Sequence, residues 1–270
     1  MSSVLYDEPG PRTRRIERIA SVSVGVLLLI GLVFLVVGMA NRGLFDDRWA
    51  VFWDPPKGQT AQAVWSSLWR GLRATLLAAV VAAPLALILA FALVLLRVSG
   101  TPWISRPTTV VIEFLRGMPV LLMMFFGLLG FGLTAFTAVV FGLTLYNAAI
   151  IAEILRAGLA ALPKGQSEAA TAIGLTRWQS MRIVQMPQVV RYMLPSLISQ
   201  LVVLLKDSSL GFIVGYPELL RTMQLNYSFF GDRYRLPLFV VTLLIYLVVN
   251  LTLSRVAIIT ERRLSARGQG

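Results

Sequence analysis

The sequence predicts an all-α membrane protein with six transmembrane helices and one polar loop between the fourth and the fifth. Three observations carry this prediction. Of 270 residues, 57% are hydrophobic and only 14% charged, where an ordinary soluble domain is about 45–50% apolar and about 25% charged. Six stretches reach the ~20 mainly apolar residues that cross a hydrocarbon core of about 30 Å. Lysine and arginine gather in alternate connections, as the positive-inside rule requires.

Residues 1–19 form a basic segment (Arg12, Arg14, Arg15, Arg18) ahead of the first span, residues 20–40. A secretory signal also starts this way, but this apolar run exceeds the about 7–15 residues of a signal core, and no clear small-residue cleavage site follows it. It reads as a retained helix. Residues 41–62 set Asp46, Asp47 and Asp54 against Arg42, Arg48 and Lys57, and form an external connection rather than a domain. The remaining spans are 63–96, 108–129, 133–155, 192–214 and 236–259, followed by a tail at 261–270. Trp65 and Trp69 sit where the second span meets the interface, a level that favours amphipathic rings. Pro84 and Pro195 fall inside spans, where neighbouring helices can satisfy the freed carbonyls. With the N-terminus inside, inner segments hold 15 Lys and Arg and outer segments 8. Both termini are therefore predicted on the cytoplasmic side.

The chain has no Cys and no His. That excludes disulfides, thiol nucleophiles, Cys/His metal sites and any imidazole base. No G-x-x-x-x-G-K-[ST] occurs, so no P-loop of its own binds ATP. The net charge of +12 is explained by topology, and no basic face on a soluble fold points to nucleic acid.

Residues 159–190 are too polar to span and too long for a plain helix–helix turn of about 2–8 residues. They read as two short helices. Pro163 suits a helix start, Glu168–Ala172 are mostly strong helix formers, and Gly174 stands where a left-handed C-terminal cap wants glycine. Thr176 and Gln179 form a capping box for the second helix, and Pro187 is expected to limit its end. Trp178, Met181 and Val184 make an apolar stripe, with Arg177 and Arg182 elsewhere on the helix. The stripe can dock in a groove of another chain, pack under this chain's own spans, or lie in the headgroups.

The run EAATAIG followed by V-x-M-P resembles the EAA loop of binding-protein-dependent ABC importers, matching at Glu168, Ala169, Ala170, Gly174 and Pro187. Val184 and Met186 are conservative departures. LRGMP (115–119), AEILRAG (152–158), KGQSEAA (164–170), LKDSSL (205–210), PELLR (217–221) and the ERR of the tail are similar to permeases for polar amino acids, with the opening VLYDEPGP nearest to those of actinobacterial glutamate importers. Ile150 replaces an aromatic common in that family. The resemblance implies a type I importer permease with a five-helix core at 63–260 and an additional first helix. It implies that Glu168, Ala169, Ala170, Gly174, Leu175, Thr176, Arg177 and Trp178 couple to a cytoplasmic ABC ATPase dimer. It further implies a second permease subunit, identical or homologous, an extracytoplasmic solute-binding protein, and an amino acid substrate, glutamate being the expectation. The chain then performs no covalent chemistry and binds no cofactor of its own, ATP and Mg residing in the partner ATPase. It is embedded in the lipid of a bacterial plasma membrane.

Charges within spans are costly and face a cavity or a partner. Lys206 and Asp207, followed by Ser208 and Ser209, are candidates for the translocation path; the alternative is interhelical pairing. Glu113 with Arg116, and Glu153 with Arg156, stand at i, i+3 and can form local ion pairs. Arg116, beside Gly117 and Pro119, is a further path candidate with Glu113. Asn147 reads as an interhelical hydrogen bond. Glu218 and Arg221 are expected near the outer mouth. The competing function is a secondary transporter driven by an ion gradient through Lys206, Asp207 and Glu113. An intramembrane enzyme would need a convergent catalytic set that the spans do not present.

Overall fold

The computed structural model describes residues 11–41, 43 and 47–266, and among them every regular element is a helix. Arg42, Asp46 and the end of the tail lie outside the described residues. Helix α1 (Pro11–Asn41) carries the first span, and no part of its apolar window is buried against the rest of the chain. Helix α2 (Ala61–Arg97) is capped by the Thr60 hydroxyl and runs through Pro84 without breaking. Helices α1, α2, α5 (Ala135–Ala161) and α11 (Arg235–Ala266) are continuous and long enough to cross a membrane, and two bent helix pairs bring the crossings to as many as six.

The core is the seam between α2 and α5. Ala78, Ala82, Ala86 and Ala90 recur every fourth residue on α2 and are wholly buried, as are Ala148, Ala149 and Ala152 on α5. In hydrocarbon, water does not drive helices together, so small side chains that let backbones approach supply the packing contacts. Asn147, buried on α5, donates to Leu143 O at 2.8 Å and accepts from Gln200 Nε2 at 2.8 Å. It is the interhelical hydrogen bond expected of it.

Two expected spans are not single helices. The 108–129 stretch divides into α3 (Pro102–Gly117) and α4 (Val120–Phe125, continued by a π turn to Gly130), bent by 103° at Met118–Pro119. Proline at 119 cannot extend the preceding helix. Both ends of α3 hold to one end of α2: Ser105 Oγ donates to Arg97 O, and Glu113 lies 3.6 Å from the Arg97 guanidinium. So α3 lies across the end of the bundle and only α4 rises into it.

The 192–214 stretch likewise belongs to a bent pair, Arg177–Tyr192 and Leu194–Phe212, which meet at 65°. Helix α9 (Leu194–Asp207) starts beside α5's last turns, passes into a 3-10 turn at Ser208–Phe212, and stops. After a turn at Gly215–Pro217, helix α10 (Leu219–Phe230) continues to the far end of the bundle. Its register against α2 fixes its depth. Asn226 pairs with Ser67, Thr222 abuts Gly71, and the Leu219 amide donates to Thr75 Oγ1. A Cβ at Gly71 would stand 2.9 Å from Leu219 Cα, so only glycine admits this approach. Thr75 is about 21 Å along α2 from its start at Ala61, which places α10's first residue inside the membrane-spanning layer.

Candidate functional site

The polar loop folds by local capping chemistry. Helix α6 (Lys164–Ala172) ends as the Leu175 amide donates to Ala170 O at 3.1 Å, with Gly174 at φ +83°. A left-handed residue there costs a side-chain-bearing amino acid about 1 kcal/mol or more. Thr176 and Gln179 form the reciprocal capping box that opens α7 (Arg177–Gln179). The second helix does not end at Pro187. It widens into a π turn at Ser180–Gln185, in which the Met186 amide reaches back to Met181 O, and continues as α8 (Met186–Tyr192). The wider turn accommodates the proline ring and its missing N–H. Gln188 Nε2 donates to Gln166 Oε1 at 3.1 Å and ties the loop's two halves.

The expected apolar stripe divides. Met181 is buried and Val184 half-buried, while Trp178 is 48% exposed, alongside Ile173 at 76% and Ile183 at 63%. Glu168, Ala169, Thr176 and Arg177 are also exposed, Leu175 is half-buried and Ala170 packs inward. The Arg177 guanidinium lies over the backbone of Gly100, at the α2–α3 turn.

The two charged pairs expected to be local belong to one cluster. Glu153 accepts from Arg97 and from Arg156 at 2.6 Å each and stands 3.9 Å from Arg116. Glu113 reaches Arg116 at 3.2 Å and Arg97 at 3.6 Å. This cluster joins α2, α3 and α5 at the end of the bundle that carries the loop. Glu113 and Arg116 therefore sit in an ion network with Arg97 and Glu153.

Lys206 opens instead on a cavity of about 220 Å³ between α9, α10 and α11, lined by Ser209, Thr242, Tyr246 and Asn250 with apolar neighbours. Lys206 has no salt bridge among the described residues, and its neighbour Asp207 is half-buried beside it. Ser208 and Ser209 turn their hydroxyls onto Leu205 O and Lys206 O, which closes the last turn of α9. Thr242 Oγ1 and Asn250 Oδ1 are buried without a hydrogen-bond partner. Such atoms are rare and call for an explanation. Thr242, Tyr246 and Asn250 escaped the sequence reading, although their i, i+4, i+8 spacing puts a polar stripe along one face of an apolar helix.

Glu218 is not at an outer mouth. It is fully buried, caps α10 through the Leu220 and Arg221 amides at 2.9 and 2.7 Å, and accepts from Tyr246 Oη at 2.6 Å. The positive end of a half-helix is thus already met by the chain's own carboxylate.

Residues 82–266 match the family described as the binding-protein-dependent transport system inner membrane component. The chain belongs to that family. As a permease it is 44% identical over 187 residues to the glutamate transport system permease protein GluD of Corynebacterium glutamicum, covering 66% of this chain and 68% of that one. It is 36% identical over 178 residues to the probable glutamine ABC transporter permease protein GlnP of Bacillus subtilis, covering 64% and 80%. A crystal structure of an amino acid ABC transporter with histidines matches with a TM-score of 0.66 at 32% identity, over 73% of this chain and 94% of that one. An inward-facing structure of the MetNI methionine ABC transporter, at 20% identity and a TM-score of 0.65, shares the fold. The chain is the multi-pass permease subunit of an amino acid ABC importer.

Proposed function

We propose that this permease imports a polar amino acid, with glutamate the expected cargo, at the expense of ATP hydrolysed in a separate cytoplasmic ABC ATPase dimer. The observation that carries the reading is the loop. A rigidly capped helix–glycine–helix leaves Ile173, Trp178 and Ile183 exposed on a polar segment, and such residues on a short helix are suited to a groove in a partner. Residues 159–190 then face the cytoplasm, as do both termini, and the membrane is the bacterial plasma membrane. Closure of the ATPase dimer would move the loop and, through the Glu153 cluster, the ends of α2, α3 and α5. A second permease subunit completes the pore, and a solute-binding protein delivers cargo outside.

Alternating access works around a midplane site built on broken helices. The α9–α10 break, with Lys206 beside orphaned polar atoms of Thr242 and Asn250, suits the carboxylate and ammonium of an amino acid. The glutamate assignment draws on the likeness to GluD. Affinity purification from membranes should bring down an ABC ATPase, and Gly174→Asp should abolish both that association and uptake. Absence of the ATPase with uptake intact in Gly174→Asp would defeat the proposal. Competition of labelled glutamate uptake by glutamine and arginine tests the cargo.

A further inference from the structure

A second polar cavity lies at the loop end of the bundle, away from Lys206. Two adjoining hollows of about 340 and 460 Å³ share Arg97, Ser105 and Arg177 as walls. Arg106 lines the first and Arg156 the second. The two carboxylates of this region, Glu113 and Glu153, are taken up by Arg97, Arg116 and Arg156. Arg106 and Arg177 have no salt bridge among the described residues. Four arginines, Arg97, Arg106, Arg156 and Arg177, thus line the two hollows, and no carboxylate does. The first turn of α3 begins at the wall of the first: Pro102 lines it, and the Thr101 side chain does not cap the helix, so the positive end of α3 also faces the hollow.

Its depth is fixed by two independent markers. Trp69 and Arg97 lie on one helix about 42 Å apart at about 1.5 Å per residue, the span of a bilayer including both headgroup layers. Trp103, 90% exposed on the first turn of α3, is the residue type that settles at that level. Because α3 lies across the bundle end, the opening borders lipid headgroups. Arg177 approaches from the other side, and Gly100 admits it: a Cβ there would stand 2.7 Å from Arg177 Nη1, with φ at +79°.

We propose that this cavity binds the phosphodiester of an anionic phospholipid, held by Arg106 and Arg177, and that the bound headgroup ties the coupling loop to the α2–α3 turn. Arginine forks match phosphate oxygens bidentately, and basic pockets between transmembrane helices on this side of a membrane take anionic headgroups. The inference rests on this end of the permease facing the cytoplasmic leaflet, and it is independent of the cargo.

Native mass spectrometry of the full-length permease with its copurifying subunits, delipidated and titrated with phosphatidylglycerol or phosphatidylcholine, tests it. Phosphatidylglycerol should bind in preference. Arg106→Gln/Arg177→Gln should weaken that binding about 30-fold, while Arg106→Lys/Arg177→Lys, which keeps the charge, should retain most of it. Unfolding midpoints without lipid verify that both variants are folded. Equal binding of the two lipids, or full retention by the glutamine variant, overturns the proposal. Displacement of phosphatidylglycerol by millimolar inorganic phosphate overturns the lipid assignment in favour of a soluble anion. Neither uptake nor ATPase association enters these readouts, so failure here leaves the import reading standing.

Discussion

At the loop end of the bundle, Glu153 is gripped by Arg97 and Arg156 at 2.6 Å each, and Glu113 and Arg116 close the cluster. Inside the broken α9–α10 crossing, Lys206 has no salt bridge among the described residues, and Thr242 and Asn250 keep polar atoms without a partner there. Both regions place charge where charge is costly, yet they treat it differently. Paired charges fix one geometry across three helices, as a joint that transmits movement must. Unpaired ones sacrifice stability, which a fold retains where something else is to be bound. On the proposed function, the contrast separates parts that hold from parts that receive.

Breaking the joint should have the largest effect on the fold. Glu153→Ala leaves Arg97 and Arg156 without their shared carboxylate in a partly buried site, and should destabilise the purified protein by about 3 kcal/mol, read by thermal unfolding. A loss under about 1 kcal/mol would mean that the cluster behaves as a solvated surface pair. Lys206→Met should do the reverse, leaving the unfolding midpoint in place while uptake falls at least about tenfold, the worth of one charge-assisted hydrogen bond. Unchanged transport kinetics would remove Lys206 from the path. The smallest effect has opposite signs in its two readouts. Thr242→Val removes an orphaned hydroxyl at nearly constant volume, so stability should rise by up to about 1 kcal/mol while uptake drops a few-fold. A variant both more stable and fully active would make the orphan a packing accident.

The same contrast governs what the sequence could disclose. Thr176, Gln179 and Gly174 were legible because capping is settled within a few residues, and the loop folds as their chemistry dictates. The Glu153 pairing with Arg156 was legible for the same reason, being one helical turn. Its extension to Arg97 and Glu113 was not, because it depends on the 103° bend that turns α3 across the bundle. Hydropathy located the fifth crossing but missed its break. Helices α9 and α10 are each too short to span, and α10's mixture of polar and apolar residues resembles a surface segment. Glu218 was therefore placed outside when it lies buried at the centre of a seam with Gly71, Thr75 and Tyr246. The polar stripe on α11 carried a periodic signal, but its meaning rests on which neighbours it faces.

Glu218 has one more consequence. Because its carboxyl oxygens cap α10 from within the chain, that half-helix does not depend on an arriving anion to hold its place. On the proposed cycle the broken crossing stays assembled after cargo has left, so the return stroke can be made empty. On the same proposal, selection of cargo would fall to the cation on α9, leaving the scaffold free of the molecule it carries.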